Sequence, residues 1–268
     1  PFHRSPCDHD GRTRQSVVVP MIPRKTKDKI LATALSLFNE RGERNVSTNH
    51  IAAELGISPG NLYYHFRNKH EIVFQLFQQY QAEVRGFMTL PAGRDITFED
   101  KVRYLEAILS SIWDYRFLHR DLQHLLQDNE DLRTAYRAFT SRTVEDGRQI
   151  LLGLVKAGML NATPEQVDAL MLNIWVLLVS WSSFLQTLAA QYDGSISRDA
   201  VKRAIYQVIC LEEPYVTDQL KPLLVTLKRE YLGDGVTDPL ALFARAGRSG
   251  AAGEQTVPAV TEAKAAAA

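Results

Sequence analysis

The sequence predicts an all-α protein: an N-terminal three-helix helix-turn-helix domain followed by a larger helical domain. Three observations carry the prediction. Apolar residues recur three and four positions apart along most of the 268 residues. Helix starts and stops are written in Ser, Thr or Asn caps, first-turn prolines and terminal glycines. No segment shows the two-residue alternation and flanking turn signals of a convincing strand.

The first helix is expected over about Lys27 to Arg41, with Ile30, Ala34, Leu37 and Phe38 on one face and Gly42 as its stop. The segment Val46 to Lys69, VSTNHIAAELGISPGNLYYHFRNK, then packs two short helices and a tight turn into 24 residues. Ser47 or Thr48 caps a helix carrying Ile51, Ala52 and Leu55. Gly56 falls where a helix end favours a left-handed residue. Ser58 caps the next helix, with Pro59 in its first turn, where a missing N–H is harmless. In that helix Leu62 and Phe66 face inward, leaving Gly60, Asn61, Tyr63, Tyr64 and His65 outside. Asn68 caps a fourth helix reaching about Met88, and Glu71 is placed to complete a capping box. Ile72, Leu76, Phe77 and Tyr80 form its buried side. Helix, glycine turn, helix is the helix-turn-helix pattern, whose second helix enters the major groove. Two short helices around a glycine also occur in purely structural bundles. The exposed Tyr63-Tyr64-His65 face beside Gly60 favours a DNA reader.

After Pro91-Ala92-Gly93 the pattern predicts helices over about Thr97–Asp114, Leu118–Gln127, Asn129–Lys156, Pro164–Tyr192, Ser197–Leu211 and Tyr215–Leu232. Thr163-Pro164-Glu165-Gln166 and Ser197-Arg198-Asp199 are start signals, and Gly158 and Gly194 are stops. Residues 1–23, with four prolines and no helical period, and residues 233–268, running into Gly and Ala, are expected to be disordered. Met21 is a candidate internal start site. The domains are therefore expected at 24–70, holding the helix-turn-helix, and 71–232, a larger helical body.

Residues of about 26 to 70 resemble the N-terminal domain of the TetR family of bacterial transcriptional regulators. The resemblance rests on ILATALSLFNERG (30–42), VSTNHIAAELGIS (46–58) and GNLYYHFRNKHEI (60–72), above all on Leu62-Tyr63-Tyr64-His65-Phe66 followed by Asn68-Lys69. The region around Trp113-Asp114-Tyr115-Arg116-Phe117-Leu118 is similar to one regulatory-domain subgroup of that family. The resemblance implies that Thr48 and Asn49 meet phosphates at the start of the first reading helix. It implies that Pro59, Gly60, Asn61, Tyr63, Tyr64 and His65 serve the recognition helix, and that Lys69 grips a phosphate. Asn49 departs from the basic or acidic residue that many members carry, which puts its own contact in doubt. The chemistry agrees: hydroxyl and ammonium groups suit phosphate oxygens, whereas Asn and the Tyr64 or His65 rings reach base edges.

Formal net charge is zero, from 31 basic and 31 acidic residues, which at first argues against a polyanionic partner. The distribution answers this: residues 24–70 hold eight Lys or Arg against four Asp or Glu, and phosphate binding responds to the local field. Cys7 and Cys210 are read as free thiols in a reducing cytoplasm. No Ser/His/Asp order, zinc-binding HExxH or phosphate-cradling glycine loop is present, so no enzyme, metal or cofactor is expected.

Ala169 to Tyr192 carries no charged residue over 24 positions, long enough to span a bilayer. Asn173, Ser180, Ser182, Ser183, Gln186 and Gln191 dilute it, and neither end has a strong basic flank. A helix that is apolar nearly all round in a soluble protein is a buried one. The resemblance implies a regulatory, ligand-binding and dimerisation domain whose late helices form the dimer interface, a reading favoured over a membrane anchor. Tyr104, Trp113, Tyr115, Phe117, Trp175, Trp181 and Phe184 are candidates to line an apolar ligand cavity, with core packing as the alternative for each.

The function expected is a cytoplasmic, homodimeric, ligand-responsive regulator, most simply a repressor. Its partners would be a pseudo-palindromic double-stranded DNA operator and a small-molecule effector. The alternatives are a helical ligand-sequestering or partner-binding protein without specific DNA binding, and a membrane-anchored sensor.

Overall fold

In a computed structural model, residues 26–189 and 198–232 are described. Expectations for the two tails, Cys7, Met21, Gly194 and the 190–197 stretch fall outside those residues. Eleven α-helices make up the described chain: α1 Thr26–Arg41, α2 Thr48–Leu55, α3 Pro59–His65, α4 Lys69–Phe87, α5 Phe98–Asp114, α6 Arg116–Arg120, α7 Leu122–Gln127, α8 Glu130–Lys156, α9 Pro164–Ala189, α10 Arg198–Glu212 and α11 Lys221–Leu232. Among the described residues the only β pairing is an isolated bridge between Leu160 and Val216.

The caps explain where the first helices begin and end. Ser47 Oγ accepts from the His50 N–H, and the His50 ring accepts back from the Ser47 N–H, closing a capping box over α2. Gly56 ends α2 at φ 64°, in the left-handed region that a side chain would disfavour. Ser58 Oγ accepts from the Asn61 N–H at the start of α3, with Pro59 in the first turn. At α4 the box is only half formed. Asn68 Oδ1 accepts from the Glu71 N–H, whereas the Glu71 carboxylate accepts from the Arg67 N–H instead of that of Asn68.

Ile30, Ala34, Leu37 and Phe38 of α1 close on Ile51, Ala52, Leu62, Phe66, Ile72 and Val73, all buried, forming the three-helix core of the head. α4 continues past the head. Its Leu76, Phe77, Tyr80 and Val84 are buried against the body, so one helix serves both cores.

Two expected helices differ in detail. The predicted Leu118–Gln127 helix is two, α6 and α7, broken at Asp121. There the carboxylate accepts from the Glu43 N–H in the head. The predicted Tyr215–Leu232 helix begins only at Lys221. Val216 and Thr217 are drawn into main-chain pairing with the Met159–Asn161 strand-like turn: Asn161 N–H donates to the Tyr215 carbonyl and Thr217 N–H to the Met159 carbonyl. A short 3-10 turn over Glu43–Asn45 was not expected.

α9 packs one face against α6, α8 and α10, burying Val167, Leu170, Met171, Ile174, Leu178, Ser182 and Leu185. Its opposite face exposes Leu172, Val176 and Phe184. Pro164–Thr187 is long and apolar enough to cross a membrane by length and composition. Its buried face belongs to the body core, however, and only the opposite stripe lacks cover.

Candidate nucleic-acid interface and ligand cavity

The two reading helices meet through their hydroxyls. Thr48 Oγ1, in the first turn of α2, lies 2.9 Å from Tyr63 Oη on α3. Two groups that donate and accept hydrogen bonds therefore share one spot on the surface. Beside them Tyr64 is 86% exposed, an aromatic side chain that folding leaves without a packing role. Its ring meets His65 edge-on at 5.1 Å, fixing both rings on the α3 surface. Asn49, Pro59, Gly60 and Asn61 are exposed, and Leu62 and Phe66 are buried and anchor α3. The α2–Gly56–α3 turn thus brings Thr48 and Tyr63 together.

Lys69 is placed differently. Its ammonium lies 2.8 Å from Glu43 Oε1 and donates to the Glu43 carbonyl at 3.0 Å. Glu43 is buried, and its Oε2 has no hydrogen-bond donor among the described residues, with His124 Nε2 at 3.6 Å. A phosphate would have to compete with this carboxylate for Lys69.

Behind the reading surface, head and body are joined by reciprocal capping. Arg120 on α6 donates to the Phe38 carbonyl at 2.6 Å and the Asn39 carbonyl at 3.2 Å, satisfying acceptors at the end of α1. Asn39 in return donates to the Asp114 carbonyl at 2.7 Å and accepts from the Phe117 N–H at 3.1 Å, bridging the α5–α6 break. Phe117 is fully buried against Phe38, ring centroids 5.2 Å apart. A shift of α6 would therefore carry the head with it. Glu43, Asn39, Arg120 and Asp121 carry no local motif, since each acts through partners 75 to 82 positions away.

The body holds an apolar cavity of about 60 Å³. Met88, Leu105, Ile108, Ile150, Met171 and Trp175 give most of its wall, with Tyr104, Lys101 and Glu212. Of the aromatic candidates, Tyr104 and Trp175 reach it. Tyr115 and Phe117 instead fill the head–body joint, Tyr115 against Tyr80 at 5.4 Å. Trp113 lies under the Arg116 guanidinium, and Trp181 donates its indole N–H to the Ala200 carbonyl. Phe184 is on the exposed side of α9. The cavity's one charged feature, a buried pair between Lys101 on α5 and Glu212 on α10, had no signal in the sequence. Burial pushes the Lys101 ammonium down from its usual range, and the adjoining carboxylate favours its charged form.

Comparison with known proteins agrees with this architecture. Residues 30–76 match the family described as "Bacterial regulatory proteins, tetR family", and residues 79–223 match "Bacterial transcriptional repressor". An HTH-type transcriptional regulator from Staphylococcus aureus (strain bovine RF122 / ET3-1) is 28% identical over 116 residues. That alignment covers 43% of this chain and 61% of the relative, so it spans less than two thirds of that protein. A TetR-family transcriptional regulator from Marinobacter aquaeolei VT8 is 43% identical. It superposes with a TM-score of 0.72 over 77% of this chain and 98% of its own. A tetR-family regulatory protein from Rhodococcus RHA1, 21% identical with a TM-score of 0.55 over 72% of this chain and 99% of its own, shares the fold. With both halves of the chain matched, and with a helix-turn-helix surface on a helical body, the chain belongs to the TetR family of bacterial DNA-binding transcriptional regulators.

Proposed function

We propose that the chain is a homodimeric repressor that binds a pseudo-palindromic operator and releases it when a small molecule enters the body. The paired Thr48 and Tyr63 hydroxyls beside the exposed Tyr64 carry the reading. Thr48, Asn49, Tyr63 and Lys69 take phosphates, while Pro59 and Gly60 let α3 approach the groove. Asn61, Tyr64 and His65 face base edges. In this reading residues 24–70 form the DNA head and 71–232 the regulatory body, with α4 belonging to both.

Dimerisation is supported by α9. Leu172, Val176 and Phe184 lie on one stripe at four-residue spacing with Ser180, and the stripe has no charged residue between Ala169 and the end of the helix. Such a face is covered in an isologous contact with a second copy. Release by ligand requires that the molecule bind the non-DNA conformation more tightly than the DNA-competent one. The α6 joint, which ties Arg120 to the end of α1, is the route by which the body would move the head.

A mobility-shift assay with the protein's own upstream DNA tests the reading. A sequence-specific shift that weakens with salt is expected, and a shift indifferent to sequence contradicts it.

A further inference from the structure

The body cavity pairs an almost wholly apolar wall with one ion pair, and the pair is not fully satisfied. Glu212 Oε2 meets the Lys101 ammonium. Glu212 Oε1 is buried and has no hydrogen-bond donor among the described residues. Both residues line the cavity, and both side chains are less than a twentieth exposed. The Tyr104 hydroxyl on the same wall is already spent on the Thr89 carbonyl at 2.6 Å. A buried carboxylate oxygen left without a donor is costly, and a donor that arrives with a ligand recovers that loss.

Charge decides which donor fits. Lys101 and Glu212 together are neutral. A carboxylate ligand drawn to Lys101 has to displace Glu212, and leaves that anion buried without a cation. An ammonium ligand has to share Glu212 with Lys101, placing two cations on one carboxylate. A hydroxyl donates to Oε1 and leaves the pair as it is. Size adds a second limit, because about 60 Å³ holds roughly four to six water-sized groups.

We infer that the effector site takes a small, uncharged, mainly apolar alcohol whose hydroxyl donates to Glu212 Oε1 while its hydrocarbon part lies against Met88, Leu105, Met171 and Trp175. This rests on the proposal that the body is a ligand sensor, and it adds the chemical class.

The test uses the full chain and four probes of similar size: butan-1-ol, its isomer methyl propyl ether, butanoate and butylammonium, each titrated by ligand-detected NMR. Butan-1-ol is expected to bind about tenfold more tightly than the ether, as one hydrogen bond to a charged acceptor requires. It should also bind more tightly than either charged probe. Equal binding of alcohol and ether, preference for butanoate or butylammonium, or no saturable binding by any probe would overturn the assignment.

The double variant K101M/E212L replaces the pair with apolar residues, a change that buried pairs commonly tolerate. In that variant the ratio of alcohol to ether affinity should fall to about one. A preserved ratio would place the hydroxyl elsewhere and overturn the assignment. A mobility shift on the same samples keeps the two readings apart. Specific DNA binding without alcohol preference overturns only the ligand class, and alcohol preference without specific DNA binding overturns only the regulator reading.

Discussion

Lys69 and Glu43 are locked together at the foot of α4, with ammonium to carboxylate oxygen at 2.8 Å and the lysine also donating to the Glu43 carbonyl. The pair spans the head, and through the Asp121 carboxylate on the Glu43 N–H it touches the α6–α7 break of the body. Glu43 therefore stands between Lys69, the proposed phosphate contact, and the body, the proposed ligand sensor.

Glu43→Gln keeps the side-chain volume and removes the charge that holds Lys69. Binding to all duplexes should tighten alike, because Lys69 no longer divides between the carboxylate and a phosphate. Lys69→Ala should weaken all sequences alike and lower the slope of log K on log salt by about one. It should also destabilise the fold by about 3 kcal/mol, because it leaves a buried carboxylate without its cation. Fluorescence anisotropy across salt concentrations and urea melts measure both. An unchanged salt slope in Lys69→Ala would remove Lys69 from the interface.

Tyr63 and Asn61 are two positions apart on α3 and should fail in different ways. Tyr63→Phe removes the hydroxyl shared with Thr48 and should reduce affinity for specific and nonspecific duplexes by similar factors. Asn61→Ala should cost about 1–3 kcal/mol on the preferred site and little on others, flattening the discrimination. Competition assays with single-base operator variants separate the two, and a uniform loss for Asn61→Ala would contradict base reading.

The α9 stripe should be the seam between copies. Val176→Glu places a charge in the middle of Leu172, Val176 and Phe184 and is expected to shift the protein to monomer in sedimentation velocity. Operator affinity should fall with it, since a lone head meets only one half-site. A Val176→Glu dimer as stable as the parent would move the seam elsewhere.

His119 sets a pH dependence. Its ring is buried against Tyr80 at 5.5 Å, and neither ring nitrogen has a hydrogen-bond partner among the described residues. Burial pushes its pKa down to about 4, against about 6.5 in an unfolded chain. Between those values the unfolded chain holds a proton that the folded chain does not. Stability is therefore full above about pH 6.5 and falls as pH drops toward 4. The loss through that window is on the order of 3 kcal/mol. Thermal melts at about pH 7.5 and 5 should show it, and His119→Leu should reduce the difference. An equal difference in the variant would assign the acid sensitivity to other groups.

The head was legible because its signals are local. Ser47, Gly56, Ser58 and Asn68 each act within four residues of themselves, so spacing alone locates α2, α3 and the start of α4. The α6–α7 break was not legible, because Asp121 leaves the helix to serve a main-chain donor 78 positions away. Likewise the Lys101–Glu212 pair joins residues 111 apart, and nothing near either one marks it. The aromatic side chains left two readings open for a related reason. Composition shows that Trp113, Tyr115, Phe117 and Trp181 are large and apolar, but only packing decides whether such a ring lines a cavity or fills a joint.

The most direct measurement of the central claim is selection of bound duplexes from a random DNA pool by the purified full chain. The account predicts enrichment of one sequence made of two inverted half-sites, lost when Asn61→Ala and Tyr64→Ala are combined. A pool that stays random after repeated rounds, or a single half-site without symmetry, would contradict it.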